Sequence, residues 1–267
     1  MAWETTRVET VDRLFADLLE REGKGWLFRG QSKDHGTLYA TIDRDPLDSL
    51  PRSEKLTLER ESIETYRSAA RVFATAGEQQ AMTDDFIALM VLRHYGAPTR
   101  LLDWTGSPLV AAYFAAYSHP DSDGEIWSFD RPLYEREGAK QWIAHPETTF
   151  CGTGDPDHFA AALTAFKVDL SFDWFICIFY GAGFPRQLAQ AGAYSMTAQF
   201  LQNHADHIAR ILGASEHYRR FVLPARLKNQ VLTVLRETHG IWHGRLFPDS
   251  AGAAETAKRL FPKPRPS

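Results

Sequence analysis

The sequence predicts an α+β fold of compact, mixed or antiparallel small sheets with helical insertions. Three observations lead there. Short apolar runs of strand type, residues 26–28 (WLF) and 174–180 (WFICIFY), stand among longer stretches of helical periodicity. The two kinds of segment do not alternate in the strand–helix–strand rhythm of a doubly wound parallel sheet. No linker rich in Pro, Gly or Ser divides the 267 residues. A single domain is therefore expected over 1–267, with its core at about 26–260 and the proline-rich end, 262–267, as a disordered tail.

Each element has a local cause. Val11, Leu14, Phe15 and Leu18 fall on one face of a short helix over 11–20, which Gly23-Lys24-Gly25 breaks. The strand at 26–28 runs into Arg29-Gly30-Gln31-Ser32. Leu56, Ile63, Tyr66, Ala70 and Phe73 recur at helical spacing over 52–75. A helix over 84–95 is capped by Thr83 or Asp84 and closed by Gly96 in the left-handed conformation. Ser107-Pro108 supplies an N-cap and a first-turn proline for a helix over 108–117. Asp121-Ser122-Asp123-Gly124 turns the chain into a strand over 125–130. Residues 132–157 look irregular, 159–166 helical, and 173–180 a buried strand. Residues 185–190 lead to a strand over 192–197, followed by a helix over 200–212 and a late strand over 218–226. Gly240 closes a helix over 229–238, and residues 247–250 cap a last helix over 251–260.

Composition narrows the function classes. With 44% hydrophobic and 24% charged residues the chain should fold globularly. A net charge of −4 argues against a strong nonspecific nucleic-acid binder, while leaving room for a local basic groove. Cys151 and Cys177 make no disulfide framework and suit a reducing compartment. The charged amino-terminal stretch lacks a signal-peptide core, and the longest apolar run is too short to span a bilayer. A cytoplasmic location without a membrane partner is the expectation.

Chemistry concentrates at residues 92–114, LRHYGAPTRLLDWTGSPLVAAYF. A turn dense in hydrogen-bonding side chains, held between two apolar helices, suits a ligand site. With this block and Phe28-Arg29-Gly30 the chain resembles the FRG-domain family. The resemblance extends through Arg186 and the strand Gln190-Ala191-Gly192-Ala193-Tyr194 to the segment Leu246-Phe247-Pro248-Asp249. A more distant resemblance is to mono-ADP-ribosyltransferases. Their core begins with a strand ending in Arg-Gly, here Phe28-Arg29-Gly30. It continues with a Ser/Thr-bearing strand and a helix of A-x-x-F-A type, here Leu102-Asp103-Trp104-Thr105 and Ala111 to Ala115.

That second resemblance implies an ADP-ribosyltransferase-like fold with NAD as co-substrate and no metal. Arg29, Asp103 and Gln190 would act in catalysis. Gly30, Gln31, Ser32, His94, Tyr95, Thr99, Arg100, Trp104, Thr105 and Arg186 would bind the dinucleotide. Gly30 would hold the nicotinamide carboxamide through its backbone, and Arg29 a phosphate or ribose. The family's catalytic glutamate falls where this chain has Gln190, and an amide supplies neither a base nor a negative charge. Asp103, Glu125 or Asp249 must then provide a carboxylate, Asp103 being the first choice because it shares the densest motif.

The residues also admit plainer readings. Arg29 can be a structural ion pair at a strand end, and His94 a helix-end histidine. Tyr95 and Trp104 can stack on a ring or simply fill core. Ser107 is more simply an N-cap than a ribose ligand. His204, His207, His239 and His243 have the loose spacing of surface histidines rather than of a metal site. Arg219, Arg220, Arg226 and Lys228 form either a solvated strand edge or a nucleic-acid groove. No P-loop, nucleophile elbow or zinc-protease motif occurs.

Three functions follow. The first is binding of an NAD-type dinucleotide with transfer or hydrolysis of its ADP-ribose, the acceptor being protein or nucleic acid. The second is a noncatalytic nucleotide or nucleic-acid binding module. The third is a partner-binding scaffold. A toxin or phage-defence role suits the first and the third.

Overall fold

The computed structural model describes residues 3–75, 78–142, 175–178, 185–197 and 199–258. Its strands are β1 (Thr5–Arg7), β2 (Leu27–Gln31), β3 (Leu102–Thr105), β4 (Gly124–Phe129), β5 (Phe175–Ile178), β6 (Gly192–Thr197) and β7 (Tyr218–Leu223). They join in one sheet of order β1-β7-β4-β2-β3-β6-β5. Only β1 and β7 run parallel; every other neighbouring pair is antiparallel. The α+β class is as expected, with the strands gathered into a single sheet rather than several small ones.

Alternation along the strands makes two cores. On one face Phe28, Ile126, Phe221 and Leu223 meet helices α1 (Val11–Leu19), α4 (Pro108–Ala116) and α8 (Lys228–His239). On the other, Leu27, Leu102, Trp104, Trp127 and Phe129 meet α5 (Arg131–Trp142) and α7 (His204–Leu212). Helices α2 (Arg52–Ala70), α3 (Asp85–His94), α6 (Pro185–Ala189), α9 (His243–Leu246) and α10 (Ser250–Lys258) complete the described helices. No helix among the described residues is long and apolar enough to cross a membrane.

Helix α4 lies unusually close to the sheet, and its sequence says why. A Cβ added to Gly30 would stand 1.9 Å from the Ala111 carbonyl oxygen, and one on Gly124 2.3 Å from that of Ala115. Glycines on β2 and β4 thus receive two alanines one helical turn apart. The Ser107 hydroxyl caps the helix by accepting from Val110 N at 3.5 Å. On α3 the cap is Asp84, accepting from Phe86 N and Ile87 N.

Several expectations shift. Residues 131–142 are helical where an irregular segment is expected. The cause is a cap: Asp130 Oδ1 accepts from Leu133 N at 2.9 Å, and Tyr134 is buried beneath. Helix α2 stops at Ala70, leaving Val72 and Phe73 exposed. Helix α7 starts at His204, where Asn203 caps it and also takes Leu38 N. Strand β1 has too short and polar a sequence, TTR, to announce itself. The helix expected at 159–166 and the tail at 262–267 lie outside the described residues, as do the ends of the strand expected at 173–180.

Candidate functional site

The site begins where two central strands part. Strand β2 pairs with β4 at five positions but with β3 at one, Phe28 opposite Thr105. Beyond that position Arg29 reaches across the gap. Its Nη1 donates to the Asp103 carbonyl at 2.6 Å and stands 3.7 Å from Asp103 Oδ2. A cleft of about 320 Å³ opens here, a size suited to part of a small ligand. Of the residues singled out in the sequence, Arg29, Gly30, His94, Asp103, Trp104, Thr105, Arg186 and Gln190 line it. A second depression, of about 430 Å³, adjoins it and shares Arg29, Gly30 and Phe114; Gln31 and Ser32 line that part.

Asp103 is the carboxylate the cleft exposes, with 40% of its side chain accessible. Burial works against its charge, but Arg93 and then Arg29 outweigh burial and hold its pKa below the usual carboxylate range. Arg93 binds Oδ2 through Nε at 2.8 Å and Nη2 at 2.6 Å, and anchors itself on Thr41 Oγ1. The other two carboxylates are engaged. Glu125 is fully buried and accepts from Gln31 Nε2, Arg220 Nε and the backbone amides of His35 and Gly36. Asp249 grips Arg186 and caps α10 through Gly252 N.

Arg29 is 8% exposed. Burial lowers its pKa to about 9, with Asp103 opposing and Arg44 and Arg93 reinforcing the shift. Its Nη2 touches Gln31 Oε1 at 3.3 Å, and its Nε is buried without a hydrogen-bond partner. Burial, then the nearby Arg186, lowers the pKa of His94 to about 4, so its imidazole is neutral at physiological pH. Arg186 donates to the His94 carbonyl at 3.1 Å and lies over the Phe247 ring.

Other nominated residues have structural roles. Gly30 is glycine because α4 fills the space where a side chain would stand. Trp104 is core: its Nε1 donates to Ser195 Oγ at 2.7 Å and its ring meets Phe129 edge-on. The Thr105 hydroxyl donates to the Gln190 carbonyl and accepts from Ser107 N. The Gln190 amide donates to the Leu246 carbonyl at 3.0 Å. Thr99 and Arg100 are not in the cleft; both are buried, and Arg100 clasps Glu59 on α2 through Nε and Nη2. Tyr95 does not line the cleft. It is 59% exposed and donates its hydroxyl to Glu78, and burial followed by that carboxylate pushes its pKa up to about 12.

Sequence reasoning missed Arg93, Phe114, Tyr194 and Phe247, all of which line the cleft. Arg93 carried a signal: it is a charged residue ending the apolar run FIALMVL of α3. Much of the basic stretch near 219–228 is paired or buried. Arg219 pairs with Glu4, Arg220 with Glu125 and Asp34, and Lys228 is buried. His204 and His207 are buried rather than superficial, bonded to Ser195 and Gln202. Among the described residues no group of three or more His, Cys, Asp or Glu side chains is arranged to hold a metal ion.

No curated protein matches the chain, and no solved structure does. The stretch that supplies Arg29, Arg93, His94, Asp103 and helix α4, residues 24–124, matches the family model of the FRG domain.

Proposed function

We propose that the cleft binds an NAD-type dinucleotide and that the protein transfers or hydrolyses its ADP-ribose. The observation that carries this reading is Asp103, a carboxylate held ionised at the surface of a cleft beside the buried cation of Arg29. Cleaving the nicotinamide–ribose bond builds an oxocarbenium-like centre that a fixed negative charge stabilises. Arg29 offers an anion-binding edge. The adjoining depression extends the groove past Arg29 toward Arg44 and Lys33, whose charge suits the diphosphate. Nicotinamide release from NAD by the purified protein is the test. Release is expected, with loss of about 10²-fold or more in Asp103→Asn and in Arg29→Ala. A folded protein that releases none overturns the reading.

A second reading has its own support. Arg93 and Arg29 both face the one Asp103 carboxylate, so cations outnumber anions around it. Such a cleft favours an anionic ligand over a cationic transition state, as a noncatalytic nucleotide-binding module requires. That reading expects a rise in melting temperature with ADP or ADP-ribose and no turnover of NAD.

A further inference from the structure

The rim of the second depression carries a cluster that the cleft does not use. Ser32 Oγ lies 2.9 Å from His119 Nδ1. Ser118 Oγ donates to Ser32 Oγ at 2.8 Å and also stands 3.1 Å from the same Nδ1. With Ser118 as donor to Ser32, the Ser32 hydroxyl is left able to donate to His119 Nδ1 in the Nε2-protonated tautomer. That is the arrangement of a nucleophile beside its base.

The cluster is held in place from behind. The ammonium of buried Lys228 donates to the carbonyl oxygens of Ser32, Ser118 and His119 at 2.7, 3.0 and 2.9 Å. One cation at the start of α8 thus fixes the backbone of all three members, which come from two separate segments. His119 takes a φ of 52°, a left-handed conformation that a residue with a side chain seldom adopts. Strain of this kind persists where surrounding bonds enforce it, and here the three Lys228 bonds do so.

Position links the cluster to the cleft. Ser32 follows Arg29 by three residues along the end of β2, about 10 Å of extended chain. Both residues line the same depression, which also holds Arg44 and Lys33. A dinucleotide held on Arg29 thus lies against the depression that Ser32 lines.

We propose that Ser32 is the nucleophile that accepts the ADP-ribosyl group, with His119 as its general base, so that the protein modifies itself. This inference rests on the NAD-cleaving reading of the cleft. The bond between C1′ of the ribose and the nicotinamide nitrogen breaks, and its electron pair leaves with neutral nicotinamide. Ser32 Oγ forms the new bond to C1′, and its proton passes to His119 Nδ1 and on to water. No further reactant is needed.

The experiment is to incubate the full chain with NAD, measure nicotinamide release, and locate any added ADP-ribosyl group by peptide mass spectrometry. One group on the Ser32 side chain is expected. It should be absent in Ser32→Ala and formed about 10²-fold more slowly in His119→Ala. Circular dichroism confirms that each variant is folded. Nicotinamide release without modification, or modification at other residues only, overturns the proposal and leaves NAD cleavage standing. Absence of release overturns both.

Discussion

The side chains of the cleft divide by whether their bonds are spent inside the fold. Thr105, Gln190 and Trp104 each satisfy a structural partner. Arg29, Asp103 and His94 line the cleft with charge states tuned by burial and by neighbouring charges. His94 gives a direct test. Its folded pKa of about 4 lies below the ordinary 6.5, so between those values the unfolded chain binds more protons. Stability therefore rises with pH across that window and is fully restored above it. His35 and His204, also lowered by burial, act in the same direction. Urea unfolding between pH 4.5 and 7 should show this slope, shallower in His94→Gln; an unchanged slope refutes the assignment. Arg29 and Asp103 were legible in the sequence because each sits in a short dense motif. Arg93 and Tyr194 were not, because their cleft positions depend on how α3 and β6 dock against β3. Arg100 sits in the same dense block yet faces Glu59, 41 positions earlier, which no local pattern encodes.

Among the elements, α4 shows how composition encodes packing. Its alanines allow the approach, and Gly30 and Gly124 complete it. Gly30→Ala should destabilise the protein by about 3 kcal/mol, because neither backbone can move aside without disturbing the sheet. Gly96 is the contrast: nothing stands near its absent side chain, but its φ is 91°. Gly96→Ala should cost only about 1–2 kcal/mol, the backbone penalty alone. Thermal melts of the two variants separate the causes, and equal losses would contradict them. Caps and turns made most element boundaries legible, as with Ser107-Pro108 and Gly240. Helix α5 was not legible, although its Pro132 stands in the first turn, where proline is tolerated.

At the level of the whole molecule, distant segments are tied by single cations. Arg186 on α6 holds the end of α3 through the His94 carbonyl and the start of α10 through Asp249. Arg186→Ala should cost about 2 kcal/mol and speed proteolysis near 247–249, whereas an unaltered cleavage rate would show that α10 is held by other contacts. The α+β class was legible because strand and helix patterns fail to alternate. The order of the strands was not, since β4, β7 and β1 join β2 through pairings that span most of the chain. The lone pairing of Phe28 with Thr105 has a mechanical meaning. The sheet is two leaves, β1-β7-β4-β2 and β3-β6-β5, bound by one backbone stitch and by helix α4 lying across both. The width of the opening between them is set less by the hydrogen-bond ladder than by the length of the side chain at position 29, so a shorter residue there resets the aperture as well as removing a charge.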